Sequence, residues 1–301
     1  MKILVIINPK SGKRIGKKLE QKIRAYLNPY DDAAQVWFWD YPEQIDDLIS
    51  KALREAFDII FAAGGDGTVH QIGVRLIGAP VVLGILPMGS GNGIANHFNI
   101  PHSLKKAIKI LSNYEIITVD TALVNGLPFI GFFSFGLDAC VIHALKGQKR
   151  GFWQYFITAL NLFYNYQAEQ MQLCWEGKSE TWKTILFGVV NTAQYGNKVK
   201  VAPQASALDG KLDLIGLLPI RFWRLPALLY HSFNGSLARF KAYRRCTLNA
   251  PLTIHRKSTP SLQEGKGQVD GEPILLPAEI KVEIAPASLK LLVPKHTNLN
   301  F

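Results

Sequence analysis

Cysteine is scarce in this 301-residue chain. The three cysteines, Cys140, Cys174 and Cys246, are far apart and lack nearby histidine spacing, which argues against both a disulfide framework and a zinc site. That usage fits a reducing cytosol. Long apolar runs are missing too. A membrane span needs about 20 consecutive apolar residues, and the best candidate, residues 152–166, is interrupted by Gln154, Asn161 and Asn165. The opening run over residues 1–7 meets Asn8-Pro9 before a secretory core could form, so it reads as a first buried strand. Acidic residues are the minority, 23 against 34 Lys plus Arg, for a formal charge of +11. Such a balance admits nucleic acid, anionic headgroups or phosphorylated substrates. The chain has no zinc-finger spacing, no aromatic RNA-binding signature and no basic tail, so nucleic acid is not the expected partner.

What is present is a globular composition, 48% hydrophobic and 19% charged, over a length that suits two domains. The first ~120 residues alternate short apolar runs with helical-period segments, the pattern of parallel strands joined by crossover helices. Strands are expected over residues 2–7, 35–39, 58–62 and 81–86. The helix expected over residues 11–27 carries Ile15, Leu19, Ile23 and Leu27 as one stripe, and Pro42 suits the start of the next helix. Ser103 is placed to cap a short third helix. After Tyr114 the pattern turns to strands, beginning with a hairpin through Asn125-Gly126. Further strands are expected over residues 128–133, 184–190, 211–217, 248–255 and 280–284. Two aromatic-rich helical insertions, residues 152–166 and 221–233, interrupt them. The expected domains are 1–124, completed by 288–301, and 125–287.

Three strand ends carry loops suited to phosphate. Gly64-Gly65-Asp66-Gly67-Thr68 lies between an apolar strand and a helix start, followed by Val69 and His70. Glycines let backbone N–H groups approach an anion, and a helix start favours it. Asp66 would meet phosphate through a magnesium ion, or shape the loop. The others are Asn8-Pro9-Lys10-Ser11-Gly12 and the Pro87–Asn92 loop with Ser90, Gly91 and Asn92. Ligands of open parallel sheets bind beyond the carboxyl ends of strands, so the three loops are expected to meet around one phosphorylated ligand. Neither standard nucleotide fingerprint occurs: G-x-x-x-x-G-K-[ST] is absent, and Ile94 and His70 stand where G-x-G-x-x-G needs its third glycine.

These loops, with Phe135-Gly136-Leu137-Asp138-Ala139, Val201-Ala202-Pro203, Asp209-Gly210-Lys211-Leu212-Asp213 and Val269-Asp270-Gly271-Glu272-Pro273, resemble the catalytic domain shared by diacylglycerol, sphingosine and ceramide kinases. The resemblance implies an α/β protein of two domains. One is an amino-terminal three-layer α/β nucleotide domain like that of NAD kinases and phosphofructokinases, the other a carboxy-terminal β-sandwich, with the active site between them. It implies ATP and Mg²⁺ as cofactors and phosphorylation of a hydroxyl on a membrane lipid. Asp270 would be the general base, with Glu272 beside it and Asp66 near magnesium and phosphate. Asp138 is read either as a contact to the substrate's polar head or as a hydrogen-bonded loop aspartate. A structural magnesium site would map to Asp209 with backbone carbonyls near Ser206 and Lys211. Gly93 stands where many diacylglycerol kinases have an acidic residue, closer to the sphingosine and ceramide kinase version. A cytoplasmic enzyme in peripheral contact with a membrane follows. The rival readings are an NAD kinase-like enzyme acting on a soluble substrate and a non-catalytic lipid- or nucleotide-binding protein.

Overall fold

The computed structural model describes residues 1–9, 17–41, 44–146, 152–194, 196, 199–257 and 265–295. The described residues form two units, Met1–Val119 with residues 287–295, and Asp120–Pro286. In chain order the first runs β1 (Ile3–Ile7), α1 (Lys17–Leu27), β2 (Gln35–Phe38), α2 (Ile45–Arg54), β3 (Ile59–Gly64), α3 (Asp66–Gly73), β4 (Val82–Pro87), α4 (Gly93–His97) and α5 (Leu104–Lys109). The strands pair in parallel in the order β2-β1-β3-β4, and Leu291 of the returning C-terminal segment pairs with Leu83 beyond β4. Every residue of β1, β3 and β4 is buried, as a parallel sheet covered on both faces requires. Helix α1 packs against α5 and α2 against α3. In α1 only Ile23 and Leu27 are buried; Lys10 to Gly16, including Ile15, lie outside the described residues. So does Pro42.

The second unit begins within β5 (Tyr114–Val124) and continues β6 (Leu127–Phe129), β7 (Phe132–Gly136), α6 (Leu137–Ala144), α7 (Phe152–Phe163), β8 (Glu169–Trp175), β9 (Lys178–Thr184), β10 (Leu186–Val190) and β11 (Leu212–Leu217). After α8 (Leu225–Asn234) come β12 (Tyr243–Leu248), β13 (Leu252–Arg256), β14 (Gly265–Val269), β15 (Glu272–Leu276) and β16 (Glu279–Pro294), whose end lies in the first unit. One antiparallel sheet has the order β12-β11-β10-β7-β14-β15; the first half of β16, β13, β8 and β9 form another layer. Between them lies an aromatic core: Phe133, Phe135 and Phe187 meet Leu173, Ile254 and Val282. Among the described residues no helix is long and apolar enough to cross a membrane.

Two expected strands are broken. Residues 248–255 divide into β12 and β13 around Pro251, which has no N–H to give a ladder. Residues 128–133 divide because the Ile130 and Gly131 N–H groups turn to a distant carboxylate. The β8–β9 hairpin was not expected, although Met171, Leu173 and Trp175 alternate with polar residues and point inward. Ser103 precedes α5 but makes no side-chain cap bond.

Candidate active site

At the ends of β1, β3 and β4 the three loops come together. Asn8 Nδ2 donates to Thr68 Oγ1 at 3.2 Å, tying the first loop to the second. Gly64 leaves room for that threonine: a Cβ at residue 64 would fall 2.2 Å from Thr68 Oγ1. Gly65 and Gly89 pack backbone on backbone, so a Cβ on Gly89 would stand 2.5 Å from the Cα of Gly65. Asp66 opens α3, and its Oδ1 accepts the N–H of Ile94 at 3.2 Å. The third loop is closed by Asn92, at φ +50°, whose side chain accepts from Gly89 N and donates to Gly89 O at 2.9 and 2.8 Å. Its amide therefore shapes the loop. Ser90 stands exposed at the tip beside Gly91. Val69 and His70 are buried in α3. Of the first loop, Asn8 and Pro9 are described; Lys10, Ser11 and Gly12 lie outside the described residues. The result is a backbone-lined rim next to a helix start, which can hold an anion through N–H groups.

Within the second unit, Asp270 and Gly271 form the tight turn between β14 and β15, with φ of +46° and +87°. Positive φ at both central residues is the hairpin turn that Asp-Gly favours. Yet Asp270 is not an ordinary turn residue, since only 2% of it is exposed. Its Oδ1 accepts the N–H groups of Gly131 and Phe132 at 2.8 and 2.9 Å, and its Oδ2 that of Ile130 at 2.8 Å. Three amide donors compensate the burial of a carboxylate and fix its orientation. The Asp270 N–H returns to Phe132 O, so the turn grips the β6–β7 corner twice. Glu272 opens β15 opposite Val269 and is half-buried. Asn191 holds the same corner, donating to Ile130 O and Asp120 O at 2.8 Å.

Asp138, in the first turn of α6, is buried as well. Its Oδ2 accepts from Ser134 Oγ at 2.5 Å and Gln268 Nε2 at 2.9 Å, while no partner at hydrogen-bond geometry meets the buried Oδ1 among the described residues. Gln268 completes a buried chain: its Nε2 also donates to Ser134 Oγ, and its Oε1 accepts the N–H of Gly271, beside Asp270. Sequence reasoning missed Ser134, Gln268 and Asn191; a polar residue closing or interrupting an apolar strand was their only local signal. Burial pushes the Asp138 pKa from 3.8 up to about 6, against its hydrogen bonds from Ser134 and Gln268. Above that value the folded state holds a desolvated charge, so stability falls as pH rises from about 4 through 6, by about 3 kcal/mol for a shift of this size. Asp138→Asn, neutral throughout, is expected to remove most of that slope in urea melts at pH 4.5 and 7.5. Equal slopes in parent and variant would show that Asp138 does not titrate there.

The Asp209 loop folds as an Asx turn. Asp209 Oδ1 accepts Lys211 N–H at 3.1 Å, Ser206 Oγ accepts Leu208 N–H at 3.2 Å, and Gly210 N–H reaches the buried Asp120 at 2.8 Å. The described residues contain no cluster of three or more His, Cys, Asp or Glu suited to a metal. A cation here would therefore rest on Asp209 and backbone carbonyl oxygens, a hard-oxygen set that fits magnesium rather than zinc.

The domain described as "Diacylglycerol kinase catalytic domain" matches residues 2–124, and the "YegS C-terminal NAD kinase beta sandwich-like domain" matches residues 131–293. A Pectobacterium atrosepticum protein named "Probable lipid kinase YegS-like" is 27% identical over 271 residues, 87% of this chain and 86% of its own length. A Bacillus subtilis protein named "Diacylglycerol kinase" is 28% identical over 218 residues, 70% of this chain and 72% of its own. The crystal structure of a diacylglycerol kinase from Bacillus anthracis shares the fold at a TM-score of 0.72 and 18% identity, covering 98% of this chain and 97% of that one. Another crystal structure from that organism reaches 0.79 at 20% identity, with the same coverage.

Proposed function

The chain belongs to the lipid-kinase family that joins a diacylglycerol kinase catalytic domain to a YegS-type β-sandwich-like domain, and on that premise we propose that it transfers the γ-phosphate of ATP to a hydroxyl of a membrane lipid. The observation that supports catalysis over mere binding is the cradle of Asp270. Three amides from a corner some 140 residues away in sequence fix the orientation of this carboxylate. Phosphoryl transfer needs mainly positioning and charge compensation, with one carboxylate to orient the attacking hydroxyl.

In this reading the loops at Asn8, Gly64–Thr68 and Ser90–Asn92 hold the nucleotide phosphates through backbone N–H groups. Asp270 accepts the hydrogen bond of the lipid hydroxyl and takes its proton as the new P–O bond forms. The bond between the γ-phosphorus and the bridging oxygen breaks, and ADP leaves. Glu272 lies beside this step. Magnesium, when bound, would neutralise charge on the phosphate oxygens; Asp66 would hold it at the loops, and Asp209 with the Ser206 and Lys211 carbonyls would hold a structural ion. Asp138, buried against Ser134 and Gln268, would act through the Gln268–Gly271 link on the Asp270 turn rather than touch the acceptor. The acceptor is diacylglycerol or a sphingoid or ceramide-like alcohol, met at the cytosolic face of a membrane.

The test offers purified protein, magnesium and γ-labelled ATP to separate micelles of diacylglycerol, sphingosine and ceramide. Label is expected in one of these lipids. Label in NAD and in none of them would replace lipid by a soluble acceptor.

A further inference from the structure

Two segments of the second unit that lie far apart in sequence meet at its surface. Tyr164, just beyond α7, stacks near Phe222 with ring centroids 5.3 Å apart, so α7 adjoins the 3-10 turn Phe222–Arg224 that leads into α8. Large side chains point outward along both: Trp153 is 70% exposed, Tyr164 72%, Trp223 68% and Tyr230 64%, with Ile157 and Phe222 near half. Helix α8 packs through Leu228 yet leaves much of its apolar surface exposed. Its one buried residue is Ser232, whose hydroxyl donates to Leu228 O, while Tyr230 and Phe233 face solvent. Large apolar side chains exposed on adjoining elements in this way mark an interaction face.

Charge identifies the partner. Residues 139–168 and 214–263 contain no Asp or Glu, although they carry three and eight Lys or Arg. At the chain's average density those 80 residues would hold about six acids. Some of the basic groups serve the fold, as Arg245 pairs with Asp213 and Arg256 with Glu169. Arg221 and Arg224 instead stand exposed among the aromatics, Arg221 over the Trp223 ring at 5.0 Å and Arg224 over Phe240 at 5.7 Å. Tryptophan, tyrosine and arginine together, without carboxylates, suit the headgroup level of a bilayer, where rings enter the boundary and guanidinium groups meet phosphate. A second copy of the chain is a poor occupant, because a two-fold contact would set this cationic face against itself.

We propose that the face built from α7, the Phe222–Arg224 turn and α8 docks onto an anionic lipid bilayer. The proposal goes beyond phosphoryl transfer and stands whether or not that reading does, so its test contains neither nucleotide nor acceptor lipid. The full chain is sedimented with phosphatidylcholine vesicles, with and without phosphatidylserine, at low and high salt. Binding is expected to anionic vesicles and to weaken as salt rises. Arg221→Gln with Arg224→Gln should reduce it about 25-fold, roughly fivefold for each charge, and the Arg221→Lys, Arg224→Lys pair should restore most of it. Trp223→Ser with Tyr230→Ser should weaken binding at either salt. Circular dichroism melts matching the parent would confirm that these exposed changes leave the fold intact. Equal vesicle binding by parent and variants would overturn the proposal. So would a dimer in analytical ultracentrifugation that the Trp223→Ser, Tyr230→Ser variant loses.

Discussion

Asp270→Asn is expected to reduce turnover of the acceptor lipid by about 10²–10⁴-fold, the usual contribution of a positioned proton acceptor, while leaving nucleotide affinity at the parental level. The asparagine keeps the shape of the side chain but replaces one accepting oxygen with an NH₂ group, among the three amide donors from Ile130, Gly131 and Phe132. At least one buried N–H then loses its acceptor, at about 1–3 kcal/mol, so thermal melts must accompany the kinetics. Assayed well below its melting point, the variant separates the two effects: lost stability lowers the active fraction, whereas a lost proton acceptor lowers turnover per folded molecule. Parental turnover per folded molecule would leave Asp270 as an anchor of the β6–β7 corner and nothing more. Glu272→Gln is the companion measurement, since Glu272 shares the hairpin without sharing the cradle.

Gly89→Ala should raise the nucleotide Kd by about 5- to 150-fold. The new methyl would stand 2.5 Å from the Cα of Gly65 and 2.9 Å from Asn92 Oδ1, and backbone cannot yield as the tip of a flexible side chain can. The second and third loops must part, with an overpacking cost of about 1–3 kcal/mol, which is that range of affinity if the strain falls on the binding geometry. Calorimetric titration of the nucleotide would measure it. Gly78→Ala is the control: nothing lies within 4 Å of its Cβ position, but its φ is +73°, so it should cost about 1–2 kcal/mol of stability and no nucleotide affinity. If both variants bind nucleotide as the parent does, the contact between Gly65 and Gly89 has no part in holding it.

Some features were legible because their causes are local. A fully apolar run, a glycine loop and a helix start follow one another within about ten residues at β3, Gly64–Thr68 and α3, and the parallel α/β unit follows from repetition of that unit. The Asn125-Gly126 hairpin is likewise written in its own turn, with φ of +48° and +80°. The β8–β9 hairpin was legible in principle, through its period-two burial, and was obscured by polar residues filling the outward positions.

By itself the sequence determined the two-domain α/β class, the phosphate-type loops at the strand ends and the family to which the chain belongs, since each rests on residues close together along the chain. Only the tertiary structure decided what Asp270 is. As a dipeptide, Asp270-Gly271 specifies a turn, and its burial depends on N–H groups 138 to 140 residues away. The Asp138–Ser134–Gln268–Gly271 chain and the meeting of Tyr164 with Phe222 are decided in the same way. Hydrogen bonds and ring contacts act over a few ångströms of space, and strand pairing alone brings such distant residues within that range.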